Sequence, residues 1–257
     1  MRVRLDLAYD GTDFSGWARQ PGLRTVQGTL EDALAVLERA PVALTVAGRT
    51  DAGVHATGQV AHADLTAAPD LRHLAGVLAA PDLVVRSATE VPPAFDARFS
   101  ALARHYAYRV TDAPPDPMRR HDTLGWPRPL DAGAMDDAAH LLVGERDFAS
   151  FCKRREGATT VREVLSMSVT RDGEVVVVRV SADAFCHSMV RSLTGALLAV
   201  GEGRRAVGWP AEQLARRSRD GGAAVAPAHG LTLVGVDYPD GAAALAAREA
   251  ATRRVRA

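Results

Sequence analysis

Val3, Leu5, Leu7 and Tyr9 sit at every second position, the period of a half-buried strand, and the turn-forming run Asp10-Gly11-Thr12-Asp13 ends it. After Thr25, a candidate N-cap, the residues Val26, Leu30, Ala33, Leu34 and Leu37 recur at helical spacing until Pro41. The pattern then predicts a strand over 42–47, a glycine-punctuated loop from Gly48 to His55, and a strand over 59–64. A helix over 71–78 and strands over 83–88 and 101–110 follow. Ala113-Pro114-Pro115-Asp116-Pro117 halts regular structure, which places a domain boundary near residue 112.

The second half mixes the same element types without an obvious repeat. A helix is expected over 132–143, closing at Gly144. Strands over 164–170 and 174–181 flank Asp172-Gly173, a strong hairpin signal. Val190, Leu193, Leu197 and Val200 share one face of a helix expected over 187–200. A buried strand over 231–236 comes last, and the Ala/Arg-rich end beyond Pro239 reads as a mobile or marginal helix. The whole is an α+β chain of two lobes, 1–112 and 113–257.

Composition narrows the class. The chain is 47% hydrophobic and 24% charged, and its 31 basic residues balance 31 acidic ones, as in ordinary globular proteins. No run approaches the roughly 20 apolar residues of a membrane span, and MRVRLDLAYD lacks the apolar core of a signal peptide. Neither membrane embedding nor export is expected. Cys152 and Cys186 are too few and too far apart for a disulfide framework or a zinc site, so reduced thiols in a cytoplasmic setting are the expectation. Only Lys153 among the basic residues is a lysine. The arginines, whose planar forks grip phosphate, gather at 154–155 beside Lys153, 204–205, 216–219 and 253–256. Codon bias is the plain reading of the total and RNA contact the functional one; the clusters suit a phosphate-tracking surface, though each alone is also an ordinary solvated face.

The loop from Gly48 to His55 carries the most chemistry. Gly48 and Gly53 bracket Asp51, with Arg49 two residues before it. Glycine lets backbone approach a ligand closely, and a neighbouring guanidinium keeps a carboxylate ionised while it is desolvated. Those features fit a carboxylate nucleophile, and they equally fit an Asp capping a turn beside a surface Arg.

Gly48-Arg-Thr-Asp-Ala-Gly-Val-His-Ala56 with Gly58-Gln59-Val60 resembles the active-site motif of the tRNA pseudouridine synthase A family. Further matches run in the family's order. They are Tyr9-Asp10-Gly11-Thr12 with Gly16-Trp17, Thr25-Val26-Gln27, Phe95 to Ser100, Tyr106 and Tyr108, Gly144 with Asp147-Phe148 and Phe151, Met189-Val190-Arg191, and Ala226-Pro227-Ala228 with Gly230-Leu231. Ala18 stands where the family often has glutamine, and Cys186-His187 replace a leucine-containing step.

The resemblance implies a fold of two lobes with largely antiparallel sheets flanking a central catalytic cleft. It implies conversion of uridine to pseudouridine at positions 38, 39 and/or 40 of the tRNA anticodon stem-loop, in a cytoplasmic homodimer, with no cofactor and no metal. Asp51 matches the catalytic aspartate; attack on the sugar, addition to the base and assistance of a glycal route all stay open for it. Tyr106, Arg49, Arg191 and Leu231 match substrate-site residues. By this resemblance Tyr106 stacks on the extruded uracil, Arg191 pairs with the aspartate, Arg49 holds the RNA or fills the space left by the flipped nucleotide, and Leu231 lines the pocket.

Three rival readings carry less. His55 and His62, with Asp51 and Asp64 nearby, fit no common zinc spacing. Gly201 to Ala206 formally fits the GxGxxA dinucleotide pattern, but it follows a helix and Pro210 interrupts the helix that should come next. An α+β RNA-binding module without catalysis would use the arginine clusters and strand tyrosines, yet it has no use for Asp51.

Overall fold

The structure is a computed structural model that describes residues 1–153, 159–219 and 222–256. In chain order its strands are β1 (Arg2–Tyr9), β2 (Thr45–Val46), β3 (His55–Asp64), β4 (Leu83–Glu90), β5 (Ala103–Thr111), β6 (Leu124–Gly125), β7 (Gly144–Asp147), β8 (Val161–Asp172), β9 (Val175–Ala182) and β10 (Leu231–Asp237). Its helices are α1 (Val26–Glu38), α2 (Leu71–Leu78), α3 (Ala132–His140), α4 (Met189–Gly201), α5 (Trp209–Arg216) and α6 (Ala242–Arg256). Short 3-10 turns cover Pro117–Arg119 and Ala149–Phe151.

The chain forms two compact units, Met1–Arg104 with Leu233–Ala257, and His105–Thr232. The crossings fall inside β5 and β10, not in the proline-rich stretch after residue 112. Those strands continue through the crossings because their backbone groups are paired on both sides. Leu102 N–H donates to Asp237 O in the first unit, and Arg109 N–H donates to Gly230 O in the second.

In the first unit the strand order is β4-β1-β3-β10, with β2 also on β3, and the pairings of β1 with β3 and β4 and of β2 with β3 are antiparallel. The alternation in β1 buries Val3, Leu5 and Leu7 completely. Thr25 caps α1 by accepting from Gly28 N–H at 3.2 Å, and Asp70 caps α2 through His73 N–H at 2.8 Å. The strand expected over 42–47 shrinks to Thr45–Val46, because the Leu44 N–H is held by the Glu31 carboxylate of α1 at 3.0 Å. The C-terminal helix is docked. Leu245 joins a buried cluster with Ala47, Val60, Phe95 and Ala97, while Arg253 lies 4.2 Å from the Phe99 ring centroid and donates to Asp96.

In the second unit the order is β5-β9-β8-β7, antiparallel from β9 to β7, with β6 parallel to β5. The Asp172-Gly173 turn forms the expected hairpin, Gly173 taking φ +57°. α4 is apolar almost all round and buried accordingly, including all four residues of its predicted face. It starts at Met189 because Ser188 adopts a left-handed conformation, φ +62°. α5 was not expected: Pro210 occupies its first turn, where no intrahelical N–H is lost, so it starts this helix and does not break it. Gly201 to Ala206 terminates α4 as a loop, with Gly203 at φ +74°.

One expectation is corrected here. Cys152 and Cys186 form a disulfide, their Cα atoms 5.5 Å apart. The fold adds what spacing could not show, since Lys153 N–H donates to His187 O at 3.1 Å and brings the two segments side by side. Of the arginine clusters, Arg154 and Arg155 lie outside the described residues, as do the side chains of Arg254 and Arg256.

Candidate active site

The Asp51 loop joins β2 to β3 in the first unit. Asp51 is half-buried, Thr50 is buried and Arg49 is exposed. The turn closes through Val54 N–H to Asp51 O at 3.1 Å, and Gly53 takes φ +77°, a conformation that favours glycine. Behind the loop runs the Tyr9–Trp17 segment. Trp17 N–H donates to Thr50 O at 3.0 Å, and Gly11 N–H donates to His55 Nδ1 at 3.0 Å. A Cβ on Gly11 would collide with the Val54 carbonyl. One on Gly16, itself at φ +91°, would lie 3.0 Å from Thr50 O. These two glycines therefore let one backbone lie directly against another, the physical content of the Tyr9-to-Trp17 match.

Side chains complete the grip. Tyr9 Oη lies 2.8 Å from Thr50 Oγ1, and Gln59 Nε2 donates to Tyr9 Oη at 3.2 Å and to Gly48 O at 2.8 Å. The Tyr9 ring packs against Phe14 and Trp17. Burial pushes its phenol up to about 12, so it stays protonated. The sequence presented Tyr9 and Gln59 only as motif letters; their link to the loop is a tertiary fact.

Tyr106, Arg191 and Leu231 belong to the second unit. Tyr106 on β5 is 8% exposed, and the Phe185 ring meets it edge-on with centroids 5.1 Å apart. Phe185 has no place in the sequence reading, and only its position beside the Met189-Val190-Arg191 match could have flagged it. Arg191, in the first turn of α4, is half-buried; its Nε donates to Ala226 O at 2.7 Å and its carbonyl accepts from Ala226 N–H at 3.0 Å. Leu231 is buried at the start of β10, its N–H bonded to Ala228 O at 2.9 Å. Tyr108 Oη donates to Pro227 O at 2.9 Å, and burial raises its phenol well above the ordinary range. A Cβ at Gly230 would lie 2.7 Å from the Tyr108 ring. Arg191, Tyr108 and the 226–231 segment thus form one packed cluster, and Tyr106 packs against Phe185.

The two histidines act as backbone acceptors. His55 Nδ1 takes Gly11 N–H, and His62 Nδ1 takes Ala97 N–H at 3.0 Å. Burial lowers the His62 pKa, which favours this neutral acceptor form. Among the described residues no group of three or more His, Cys, Asp or Glu side chains could hold a metal ion.

The α+β chain and its half-buried aspartate, on a loop clamped at both ends of its turn, belong to the pseudouridine synthase class by the match of its family model. A model of the family described as tRNA pseudouridine synthase matches residues 7–100 and 138–239. The chain is 62% identical to tRNA pseudouridine synthase A of Frankia casuarinae, over 100% of this chain and 96% of that one. It is 55% identical to tRNA pseudouridine synthase A of Streptomyces griseus, over 100% and 94%. For the Mycobacterium leprae protein of that name the identity is 49%, over 93% and 90%. Among solved structures, a chain of a Cbf5-Nop10-Gar1 complex matches with a TM-score of 0.30 and 14% identity, over 77% of this chain and 54% of that one. The chain belongs to the tRNA pseudouridine synthase family and is an isomerase.

Proposed function

We propose that this protein isomerises uridine to pseudouridine at positions 38, 39 and/or 40 of the tRNA anticodon stem-loop, with Asp51 as the catalytic nucleophile. The observation that carries the reading is the Asp51 loop, a half-buried carboxylate on a turn fixed by backbone and side-chain bonds on several sides. The chemistry asks for little else. Breaking the N1 glycosidic bond, rotating the uracil and joining C5 to C1′ conserves every atom and electron pair, so a nucleophile and a shaped pocket suffice without a redox cofactor or group donor.

Tyr106, Arg49, Arg191 and Leu231 bind the substrate nucleotide in this reading. The Tyr106 ring supplies a stacking face for an extruded base, and its hydroxyl assists proton removal from C5. Arg49, exposed beside the aspartate, suits RNA contact. In this reading the first lobe supplies the catalytic loop and the second contributes to the tRNA-binding surface. In this reading the protein works as a homodimer in the cytoplasm, the dimer being supported by arginine clusters spread along a chain of zero net charge. Among the described residues no helix is long and apolar enough to cross a membrane.

Asp51→Asn tests the assignment. It keeps the size of the side chain and removes the negative charge. With enzyme in excess over an anticodon-stem transcript, pseudouridine formation should vanish while tRNA binding and thermal stability persist. Normal product from this variant would reject Asp51 as nucleophile.

A further inference from the structure

Tyr9 ends β1 with its side chain 5% exposed and its ring against Phe14 and Trp17. Its hydroxyl has two neighbours, Thr50 Oγ1 at 2.8 Å and Gln59 Nε2 at 3.2 Å. The direction of this chain follows from the Gln59 amide, which is fully buried. Gln59 Oε1 accepts from Val60 N–H at 3.2 Å and Nε2 lies 2.8 Å from the Gly48 carbonyl, which can only accept, so the nitrogen faces Tyr9. An amide nitrogen only donates. The Tyr9 oxygen is therefore the acceptor from Gln59, and of its two neighbours Thr50 Oγ1 is the one able to accept its own hydrogen.

The consequence falls on the residue next to Thr50. Gly48, three residues before Asp51, is held by Gln59; Thr50, immediately before it, is held by Tyr9 at the side chain and by Trp17 N–H at the carbonyl. Thr50 is β-branched, so fixing its Oγ1 leaves χ1 little freedom and orients the peptide that leads into Asp51. We propose that Tyr9 and Gln59 are positioning residues for catalysis, acting through the Thr50 hydroxyl to hold the Asp51 carboxylate at its working angle. This rests on the reading of Asp51 as the catalytic carboxylate. Misplacing a reacting group by about 1 Å costs on the order of 100-fold in rate, so a loop left slightly loose loses turnover before it loses substrate. Because the Tyr9 phenol stays protonated, its hydrogen is available throughout the working pH range.

The test compares Tyr9→Phe, Thr50→Val and Thr50→Ser with the parent enzyme in single-turnover assays at saturating protein, alongside tRNA binding and thermal denaturation. Tyr9→Phe keeps the ring packing and removes only the hydroxyl. The rate should fall about 10-fold or more in Tyr9→Phe and Thr50→Val, with the tRNA Kd within about twofold of the parent. Thr50→Ser, which keeps Oγ, should restore most of the rate. The double variant Tyr9→Phe/Thr50→Val should be no slower than Thr50→Val alone, since both break one chain of bonds. A Tyr9→Phe rate within about twofold of the parent would overturn the proposal, as would equal losses in Thr50→Ser and Thr50→Val. If Tyr9→Phe does not fold, the two Thr50 variants decide the matter alone. The outcomes separate from those for Asp51 itself. Product from Asp51→Asn removes the reading on which the proposal stands, whereas an inactive Asp51→Asn beside a fully active Tyr9→Phe removes the positioning role only.

Discussion

Asp112 is where acid should loosen the second unit in a measurable way. It sits just past the end of β5, and Arg171 at the end of β8 grips it with both terminal nitrogens at 2.8 Å, while Leu130 N–H donates to the same carboxylate at 2.7 Å. Arg171 also reaches Leu130 O at 2.7 Å, closing a three-way tie between strand ends and the segment that enters α3. The Arg171 hydrogen bonds, with a smaller contribution from Leu130, bring the Asp112 carboxyl from 3.8 to about 2. That difference corresponds to about 2.4 kcal/mol of stability at neutral pH. Arg171 is about one-third exposed, at 35%, so screening by solvent reduces the expected value to about 1–1.5 kcal/mol.

The sign is fixed by the lowered pKa. The unfolded chain binds this proton more readily, so the stabilisation is complete above about pH 5, roughly half of it remains near pH 3, and it disappears as pH falls through about 2. Asp112→Asn removes the charge with little change of shape. Urea unfolding of parent and variant, followed by tryptophan fluorescence from about pH 7 to about pH 3, gives the difference directly. The gap should be largest at neutral pH and about halved at the acid end. A gap that stays constant across that range would refute the linkage, and no gap at neutral pH would refute the bond itself.

Two further outcomes follow from the same structure. Gly11→Ala forces a methyl group into the Val54 carbonyl, so it should cost about 1–3 kcal/mol in thermal or urea stability and lower the single-turnover rate; a fully active, equally stable variant would show that the two backbones are not in contact. Reducing Cys152–Cys186, which closes a loop with a sequence separation of 34, should lower stability by up to about 3.8 kcal/mol, read as a shift of the urea midpoint with and without dithiothreitol; an unmoved midpoint would mean the thiols are unpaired in solution.

Much of this fold is legible where local chemistry decides the outcome. Thr25 and Asp70 start helices because a side-chain oxygen is enough to do so, and Asp172-Gly173 makes a hairpin wherever two apolar runs flank it. Legibility fails where a distant group intervenes. Glu31 takes the Leu44 N–H and shortens β2, and the cysteines meet because other contacts place their segments together. Pro210 misleads for a subtler reason, since the same ring that breaks a helix interior suits its first turn. At the candidate site, Gly48-to-His55 announces an unusual carboxylate loop by its own residues. Its support does not, because Tyr9 lies 41 positions from Thr50 and 50 from Gln59.

The double crossing of the chain between its units has a consequence for synthesis on the ribosome. β3 needs β10 beside it, and at Gly58 the fit is so close that a Cβ would collide with the carbonyl of Val234. Between the two parts of the first unit lie the 128 residues from 105 to 232, which at roughly 5–20 residues per second take about 6–26 s to emerge. Throughout that interval the strand that begins four residues after Asp51 is covered on that side by β2 around Ala61 and His62, while the stretch that β10 will pair with is open to hydrogen bonding with another nascent chain. Holding that edge apart until Val234 arrives is a task for a chaperone or for slow, dilute expression, and a truncation ending before β10 should aggregate even though the Asp51 loop itself has been made.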